Sequence, residues 1–494
     1  MWLLFLGICA TLFLARSFYR LYLHPLRRIP GPKLAAITHG YEFYHDAIRH
    51  GMYIWEIEKM HQKYGPVVRI NPREVHIKDP YYYDEIYASA SRKREKDSKF
   101  VGVFGFPYSM IATVGHDLHR FRRALLNNFF SKKSVLELSG LMHEKESILM
   151  RRFEKAHRDN AVLHLDDAFA ALTADLIAQY SWGVSSGFLD DENFKNDIRQ
   201  ALNEISAFVH VNRFFPILST ILRAVPRWLL ARLRPGATAV LDMQDVVAQQ
   251  STTEKKASSR KTIFDALNDP SVPLKERSPR RLEDEGLIVV VAGTETTART
   301  LTLAAFYLYQ NKPLLQKLRE ELRPTMPTPT TEASWPQLEQ LPYLNGVVNE
   351  AIRLSYGPIF RSTRVAPTEA LKYKNIVIPP GTPVSMSSYF VLSDPEVFPD
   401  PGSFKPERWI RSAEQGQNLQ KFLVSFSRGS RICLGMNLAY AELYMTIASF
   451  VRRFDMELYE TTFDNIRVDR ELGIGQPKEG DFAVRAKVTK VIED

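Results

Sequence analysis

Apolar residues along most of this chain recur every three or four positions, the spacing that predicts α-helices with one buried face. Residues 287–306, LIVVVAGTETTARTLTLAAF, are apolar on every side as far as Ala292, which predicts a helix that runs through the core. A second buried helix is predicted after Cys433, where the helical spacing relates Leu434, Leu438, Ala441, Met445 and Ala448.

Strand patterns are short and few. In residues 64–80, YGPVVRINPREVHIKDP, two runs with β-branched residues flank Asn71-Pro72, which predicts a small hairpin. Strand-like runs return at residues 376–386 and 482–492. We therefore predict a fold that is mainly α with minor β.

The N-terminal pattern differs from the rest of the chain. Residues 1–15 carry no charged side chain, and five basic residues then precede the first acid, Glu42. These are Arg16, Arg20, Arg27, Arg28 and Lys33. This order follows the positive-inside rule for an anchor whose C-terminal side is cytosolic. We predict a membrane anchor at residues 1–20, a basic proline-rich linker at 21–33 and one large domain at 34–494.

Two features of the sequence argue against a membrane-spanning anchor. The apolar run is shorter than the roughly 20 residues that a spanning helix needs, although Phe18, Tyr19 and Tyr22 could extend it through the membrane interface. Residues 15–17, Ala-Arg-Ser, loosely resemble a signal-peptide cleavage site, but a secretory signal normally carries positive charge before its apolar run. The flanking charges favour an anchor that is retained.

Composition and charge narrow the function. With 45% hydrophobic residues among 494, the chain can bury a large core, and its two cysteines, Cys9 and Cys433, cannot form a disulfide framework. We therefore expect a reducing compartment. The net charge of +9 is dispersed rather than gathered in blocks, so an anionic membrane or an acidic protein is a better partner than nucleic acid.

Cys433 is the candidate for chemistry at the start of the second predicted helix. The positive end of a helix favours a thiolate over a thiol, and Arg431 adds a cation two residues away. Gly429 and Gly435 remove side chains on either side of the sulfur, as a flat ligand close to the backbone requires. The alternative is a buried structural cysteine, the usual role of an isolated one.

The spacing Phe426-x-x-Gly429-x-Arg431-x-Cys433-x-Gly435 resembles the haem-ligand loop of the cytochrome P450 monooxygenases. The resemblance implies the P450 fold, a triangular helical haem domain with small sheets. It also implies haem b as the cofactor, with Cys433 as the axial thiolate to the iron, Arg431 against a haem propionate and Phe426 beside the sulfur.

The middle of the predicted core helix holds an acid beside a hydroxyl, Glu295-Thr296. The Thr296 hydroxyl can bond back to the Ala292 carbonyl, and Gly293 weakens the helix, so a groove or kink can form there. The segment resembles the family's oxygen-binding signature, which implies that Thr296 supports oxygen activation and Glu295 relays protons. The alternative is an ordinary kinked core helix whose acid is turned outward.

A further set of charges resembles the family's structural triad. Glu350 and Arg353 lie three residues apart on one helix face, and Arg408 follows in the motif FKPERW. Alone, such a pair would be an exposed ion pair worth under about 1 kcal/mol, but its neighbours in sequence are apolar. The resemblance implies a buried triad that supports the haem pocket without taking part in catalysis.

Other residues are placed by the resemblance alone. His119, Arg123 and Arg364 resemble ligands of the haem propionates, although Arg122 competes with Arg123, and a basic surface helix is the alternative. Substrate-pocket positions are also implied, and their aromatic rings favour a hydrophobic substrate of moderate bulk. These positions are Phe104, Phe106, Tyr108, Ala292, Ile359, Phe360 and Ile474.

Together these motifs predict a monomeric haem monooxygenase anchored in the endoplasmic reticulum membrane, with its catalytic domain in the cytosol. It would take electrons from an NADPH–cytochrome reductase and insert one oxygen atom from O2 into a hydrophobic small molecule. Residues 22–38 and 119–135 resemble fungal members that act on terpenoids and related secondary metabolites. The alternatives are a same-fold enzyme that rearranges its substrate without O2 and a non-enzymatic haem carrier or sensor. The Glu295-Thr296 pair disfavours both.

Overall fold

A helix of 32 residues, Pro279–Gln310, runs through the middle of the protein in the computed structural model, as its apolar pattern predicts. The structure describes residues 1–218, 221, 225–233, 235–252, 261–478, 480 and 482–493. Eleven helices of eleven or more residues are found within these ranges. They are α1 (Trp2–Phe18), α2 (Tyr53–Tyr64), α3 (His116–Asn127), α4 (Ser139–Arg158), α5 (Leu165–Trp182), α6 (Asp197–Ala207), α7 (Pro235–Thr252), α8 (Pro279–Gln310), α9 (Lys312–Leu322), α10 (Pro342–Ser355) and α11 (Met436–Arg453).

Shorter α-helical turns connect these elements. In the described part of the chain they are Lys33–Ile37, Gly40–Phe43, Tyr83–Ile86, Lys132–Leu136, Val209–Phe214, Arg227–Leu233, Ile263–Leu267, Trp335–Leu338, Ser388–Leu392 and Glu407–Glu414.

The core is built around α8, against which α5, α10 and α11 pack. Gly293 permits the close approach of α5, because a Cβ at this position would lie 2.9 Å from the Ile177 side chain. Helix α8 continues through Gly293 to Gln310 without a break, and the groove or kink predicted there stays a prediction. The glycine allows two core helices to touch.

Eleven short strands form four small sheets in the described ranges. They are β1 (Val67–Arg69), β2 (Val75–Ile77), β3 (Val162–His164), β4 (Arg364–Val365), β5 (Leu371–Tyr373), β6 (Ile376–Ile378), β7 (Pro383–Ser385), β8 (Phe454–Leu458), β9 (Arg470–Leu472), β10 (Ile474–Gln476) and β11 (Arg485–Val491). The sheet orders are β1-β2-β7-β4, β3-β11-β8, β5-β6 and β9-β10, and only β2 and β7 pair in parallel.

The hairpin predicted at residues 64–80 is confirmed, with Val67 opposite Ile77 and Arg69 opposite Val75. The strands predicted at residues 376–386 and 482–492 are also present, as β6, β7 and β11. The predicted fold class, mainly α with small sheets, is therefore confirmed.

The N-terminal helix projects from the body. After α1 it continues as π-helix at Tyr19–Leu23, so a helix of 22 residues, which includes Arg16 and Arg20, is long and apolar enough to cross a membrane, and none of its 18-residue apolar window is buried. Helix α8 is also long and apolar enough, but 67% of its window is buried and it belongs to the core. The predicted extension past residue 15 is confirmed, and the N-terminal helix is a candidate membrane anchor.

The segment after this helix packs onto the body. Leu26 and Ile29 are buried in the main core, and the Arg69 guanidinium donates to the Arg20 carbonyl over 2.8 Å. The linker therefore joins the anchor to the body without a free hinge at these residues. The domain limits at residues 20 and 33 stay predictions.

Candidate active site

The segment that ends in Cys433 is a tight loop held by its own backbone. The Cys433 N–H donates to the Phe426 carbonyl over 2.8 Å, and Gly429–Arg431 form a turn of 3-10 helix between them. Helix α11 begins at Met436, two residues later than the apolar pattern predicts, with Gly435 at its N-cap. The loop therefore presents Cys433 just ahead of the helix N-terminus.

The Cys433 side chain faces an opening inside the protein rather than bulk water. It has accessible surface, yet enough protein surrounds the sulfur that burial raises the pKa of the thiol. The Gly435 amide and the Arg123 charge act in the opposite direction without outweighing burial. The helix end alone is therefore not enough to favour a thiolate, whereas a bound metal ion deprotonates a coordinating thiol outright.

The two glycines beside the cysteine have different roles. Gly429 has φ +71°, and a Cβ there would clash with the carbonyl oxygens of Tyr87 and Ala88. At Gly435, by contrast, a Cβ would meet no atom within 4 Å. Room for a flat ligand therefore exists beside Gly435, and Gly429 is required by the protein's own backbone instead.

Five buried or half-buried basic side chains gather beside the cysteine loop. They are Lys96, His119, Arg123, Arg364 and Arg431. Burial lowers the pKa of each, and repulsion from other members adds to the effect at Lys96, His119 and Arg431, so the pKa of His119 falls to about 2 and that of Arg431 to about 9. His119 is therefore neutral near pH 7, whereas the three arginines keep their charge. Within the described ranges no carboxylate lies within 4 Å of any of the five side chains. Because uncompensated buried charge is costly, the arginines of this cluster favour a bound anion.

The structure separates the two arginines that compete on α3. Arg123 Nη1 donates to the Ile432 carbonyl over 2.5 Å, next to Cys433. Arg122 Nε instead pairs with Glu276 Oε2 over 2.6 Å. Arg123 is therefore the arginine that reaches the cysteine loop.

Arg431 and Arg364 are held by neutral groups. Arg431 donates to the carbonyls of Thr113 and Val114, each over 2.7 Å. Arg364, at the start of β4, donates to Ser362 Oγ over 2.9 Å. Their positions are thus fixed while their charges stay uncompensated.

Lys96 belongs to this cluster, although sequence reasoning did not identify it. Its ammonium donates to the Ile111 carbonyl and lies 4.2 Å from the centre of the Phe104 ring. It occurs in the charged run RKREKDSK, whose composition is typical of a solvated surface. No local pattern marks this lysine as buried.

The centre of α8 opens on one side. Ala292 is exposed and Thr296 is half-buried, although Thr294, Glu295 and Thr297 between and beside them are buried. The Thr296 hydroxyl donates to the Ala292 carbonyl over 2.8 Å, the bond that the sequence predicts. This face therefore presents a hydroxyl and a small side chain to an interior opening, as a bound small molecule requires.

Glu295 points toward α6. Its Oε2 lies 3.5 Å from Arg199 Nε, and Asp166 on α5 also pairs with that arginine over 2.7 Å. Burial raises the pKa of Glu295, while the charges of Arg199 and Arg299 oppose the rise. The alternative in which this acid faces outward is therefore wrong.

Glu350, Arg353 and Arg408 lie together in a buried triad. Two guanidinium nitrogens of Arg353 donate to the Glu350 carboxylate over 2.9 and 2.8 Å, and Arg408 Nε donates to it over 2.9 Å. Arg353 also donates to the carbonyls of Leu392 and Pro401. The triad thus fastens α10 to the segment of chain that precedes the cysteine loop.

Two residues that the sequence did not indicate contact the triad and the centre of α8. The Trp409 indole donates to Glu350 Oε2 over 3.0 Å, so the triad has a fourth member. Glu442 on α11 is buried and accepts a hydrogen bond from Thr297, next to Thr296, and burial raises its pKa to about 8. An acid within an apolar helix was the only signal for Glu442.

Comparison with known proteins decides the family. A family model described as Cytochrome P450 matches residues 33–483. The chain belongs to the cytochrome P450 family. "Cytochrome P450 monooxygenase TRI4" of Trichoderma arundinaceum is 47% identical over 96% of this chain and 92% of the relative. "Conidiogenone synthase PchP450" of Penicillium rubens is 46% identical over 96% of each chain, and "Cytochrome P450 monooxygenase aflU" of Aspergillus parasiticus is 45% identical over 96% of this chain and 95% of the relative.

This P450 is therefore a monooxygenase of a family that carries haem and uses O2 and a redox partner on a small-molecule substrate. The donor set of the site fits haem. Cys433 offers a sulfur to the iron, and the basic cluster, whose three arginines lack a carboxylate partner, matches the two carboxylates of the porphyrin. The open positions at Gly435, Ala292 and Thr296 leave space for a flat group beside the cysteine loop and α8.

The pocket positions separate into two groups. Phe104, Phe360 and Ile474 are half-buried and Ala292 is exposed, and the Phe104 ring packs edge-on against Phe360 at 5.7 Å. These four side chains keep surface that a substrate can contact.

The prediction that Ile359 and Phe106 line the substrate pocket is wrong. Tyr108 differs from both of these residues. Ile359 has no accessible surface and packs with Tyr53 and Phe390, while Phe106 is buried in the main core. Neither side chain offers a wall to a pocket, because core packing uses all of it. Tyr108 is 42% exposed, and its amide is bound by α8.

Proposed function

We propose that this P450 binds haem b and inserts one oxygen atom from O2 into a hydrophobic secondary metabolite of the terpenoid or a related class. The observation that carries the proposal is the group of buried cations without a carboxylate partner, gathered beside an open cysteine. The substrate class is supported by the apolar side chains of Phe104, Ala292 and Phe360, and by the 46% identical relative that is named a conidiogenone synthase.

The residues around Cys433 would hold the cofactor. Cys433 would supply the sulfur ligand, and the five basic side chains of the cluster would bind the propionates, the arginines as charged partners and His119 as a hydrogen-bond donor. Once bound there, haem supplies the reductive activation of O2 and the transfer of one oxygen atom to the substrate. Binding of two carboxylates would relieve the repulsion that now lowers the pKa of His119 and Arg431.

The protein's own part in the reaction is to orient the substrate and to manage protons. The Thr296 hydroxyl lies on the open face of α8, where it can exchange its bond to the Ala292 carbonyl for one to a bound molecule. Glu295 lies on the adjacent, buried face, where burial raises its pKa and Arg199 fixes its position. A carboxyl in this setting can hold a proton and release it toward Thr296.

The redox partner that we propose is an NADPH–cytochrome reductase. A surface cavity of about 530 Å³ lies beside the cysteine loop, and its lining includes Phe426, Ile432, Arg92 and Arg428. Cys433 does not line this cavity, so a partner seated there would approach the loop without entering the substrate side. Arg92 and Arg428 on its rim pair with Glu85, Glu369 and Asp84, and an acidic partner would take over these pairings.

The location that we propose is the endoplasmic reticulum membrane, with the catalytic domain in the cytosol and the protein a monomer. None of the apolar window of the N-terminal helix is buried. Basic residues follow it before the first acid, which supports a cytosolic C-terminal side.

The proposed function is tested with the full chain and an NADPH–cytochrome reductase in lipid vesicles, supplied with a panel of terpenes under isotopically labelled O2. One labelled oxygen atom should appear in the product, and NADPH consumption should rise with the substrate. The variant Thr296→Ala should form about tenfold less product per NADPH consumed, because proton delivery is disturbed while electron supply is not. A product that carries no label would favour rearrangement without O2 and contradict the proposal.

A further inference from the structure

Two acidic residues of α8 hold a loop by its backbone amides. Asp284 Oδ2 accepts the Tyr108 N–H over 2.8 Å, and Glu285 Oε2 accepts the Met110 N–H over 2.8 Å. Both acids are buried, with 3% and 1% of their surface exposed. Hydrogen bonds from amides to carboxylates are stronger than those between neutral groups, so these two bonds form a clamp.

The loop depends on such bonds because it has no regular structure of its own. Residues 105–115 contain neither helix nor strand between the 3-10 turn Val101–Phe104 and the start of α3. Without a backbone ladder, its position is set by the side chains that bind it. We call residues 105–115 the clamped loop.

Charged groups around the clamp support it. Arg281, one helical turn before Glu285, forms an ion pair with that residue. Arg122 on α3 pairs with Glu276 and donates to Thr113 Oγ1 over 2.8 Å and to the Tyr108 carbonyl over 3.1 Å. The clamped loop is therefore bound through amides, carbonyls and a hydroxyl to two different helices.

The opposite side of the clamped loop faces the cation cluster. Its Ile111 carbonyl accepts from Lys96, and its Thr113 and Val114 carbonyls accept from Arg431. Amides thus point to carboxylates on α8 while carbonyls point to cations beside Cys433. The backbone of the clamped loop therefore hydrogen-bonds to charged groups on both of its sides.

The clamped loop also adjoins the pocket wall. It begins directly after Phe104, whose ring packs on Phe360 at 5.7 Å and lies 4.2 Å from the Lys96 ammonium. Any shift of the loop would therefore move Lys96 and the aromatic pair.

From these contacts we propose that Asp284 and Glu285 are positioning residues that fix the clamped loop, and with it the Phe104 wall against which a substrate lies. The part of this inference that concerns the substrate rests on the proposed function. The part that concerns the clamp does not, since both bonds are made by the chain itself.

The clamp is tested by hydrogen exchange of the full-length protein. In Asp284→Ala, amide exchange in residues 105–115 should become about tenfold faster, because a charged hydrogen bond to the Tyr108 amide is lost. Asp284→Asn keeps an acceptor oxygen and should restore most of the protection. Glu283→Gln, at the neighbouring half-buried acid, is the matched control and should exchange like the unaltered protein. Unchanged exchange in Asp284→Ala would overturn the clamp.

The pocket wall is tested with two iron-binding azoles, imidazole and 4-phenylimidazole, followed by absorption spectroscopy on the haem-loaded protein. Asp284→Ala should weaken 4-phenylimidazole binding several-fold and leave imidazole binding unchanged, since only the larger azole needs the Phe104 wall. Equal effects on both azoles, or none, would overturn the role of the clamp in the pocket. Failure of the unaltered protein to bind imidazole would instead contradict the proposed function, while the exchange result would still decide the clamp.

Discussion

Buried carboxyl groups that keep a proton are the main electrostatic feature at the scale of single residues. Burial raises the pKa of Glu146 and of Glu442 to about 8, and that of Glu74 to about 7. Glu146 on α4 accepts hydrogen bonds from Thr446 and Ser449 of α11, over 3.0 and 3.3 Å. These two hydrogen bonds favour the charged carboxylate and act to lower its pKa, but burial outweighs them.

Glu146 makes the stability of the folded protein depend on pH. Its pKa is about 8 in the folded protein and near the ordinary 4.5 in the unfolded chain. Below pH 4.5 both states hold the proton. As pH rises from 4.5 to 8, only the unfolded chain releases it, so the folded state loses stability. Glu146→Gln lacks this proton, and its free energy of unfolding relative to the unaltered protein should rise by up to ~4 kcal/mol between pH 5 and pH 9.

Urea unfolding of both proteins at several pH values measures this difference. Glu144→Gln, at an exposed neighbour on the same helix, is the control and should show no such trend. A difference between Glu146→Gln and the unaltered protein that stays constant with pH would contradict a neutral Glu146.

At the scale of elements, the triad shows how a charged group joins segments that are far apart in sequence. Glu350 on α10 binds Arg408 and Trp409, both in the short helix Glu407–Glu414. Pro406, the residue before this helix, packs against α10. Gly346 allows this packing, because a Cβ there would lie 2.6 Å from the Pro406 carbonyl oxygen. The cysteine loop follows this segment, so the triad supports the site without touching it.

Removing the acid of the triad should destabilise the whole domain. Glu350→Gln leaves Arg353 buried without a counter-charge, which costs about 3–5 kcal/mol. The loss should appear as a lower free energy of unfolding in urea and as weaker retention of haem. Glu407→Gln removes a partly exposed pair with Lys317 and should cost under about 1 kcal/mol. Equal costs for the two variants would show that the triad has no structural role.

The same elements show what sequence can predict. Local periodicity and fixed spacings predicted α8, α11, the β1-β2 hairpin and the triad, because each depends on residues close in sequence or on a specific motif. Ile359 was wrongly assigned to the pocket, and the burial of Lys96 was not predicted at all. Both depend on tertiary contacts, which decide where an isoleucine packs and whether a lysine in a charged run is buried. The partner of Glu295, Arg199, lies 96 positions away and has no local signal.

At the scale of the whole molecule, the protein combines an exposed apolar helix with buried positive charge. The N-terminal helix exposes apolar residues that a membrane can cover, while the body holds a buried basic cluster without a carboxylate partner beside Cys433. Neither feature is stable without a second component, a lipid bilayer for one and an anionic group for the other. The proposed binding of haem iron by Cys433 would connect the interior charges to the P450 reaction.

This bond is tested most directly by the absorption spectrum of the reduced, carbon monoxide-treated full-length protein. The unaltered protein and Cys9→Ser, a variant of the only other cysteine, should both show the Soret band of a thiolate-bound haem. Cys433→His should keep haem and lose that band, because nitrogen replaces sulfur at the iron while the cation cluster still binds the propionates. A thiolate-type band in Cys433→His, or its absence from the unaltered protein, would contradict a haem held by Cys433.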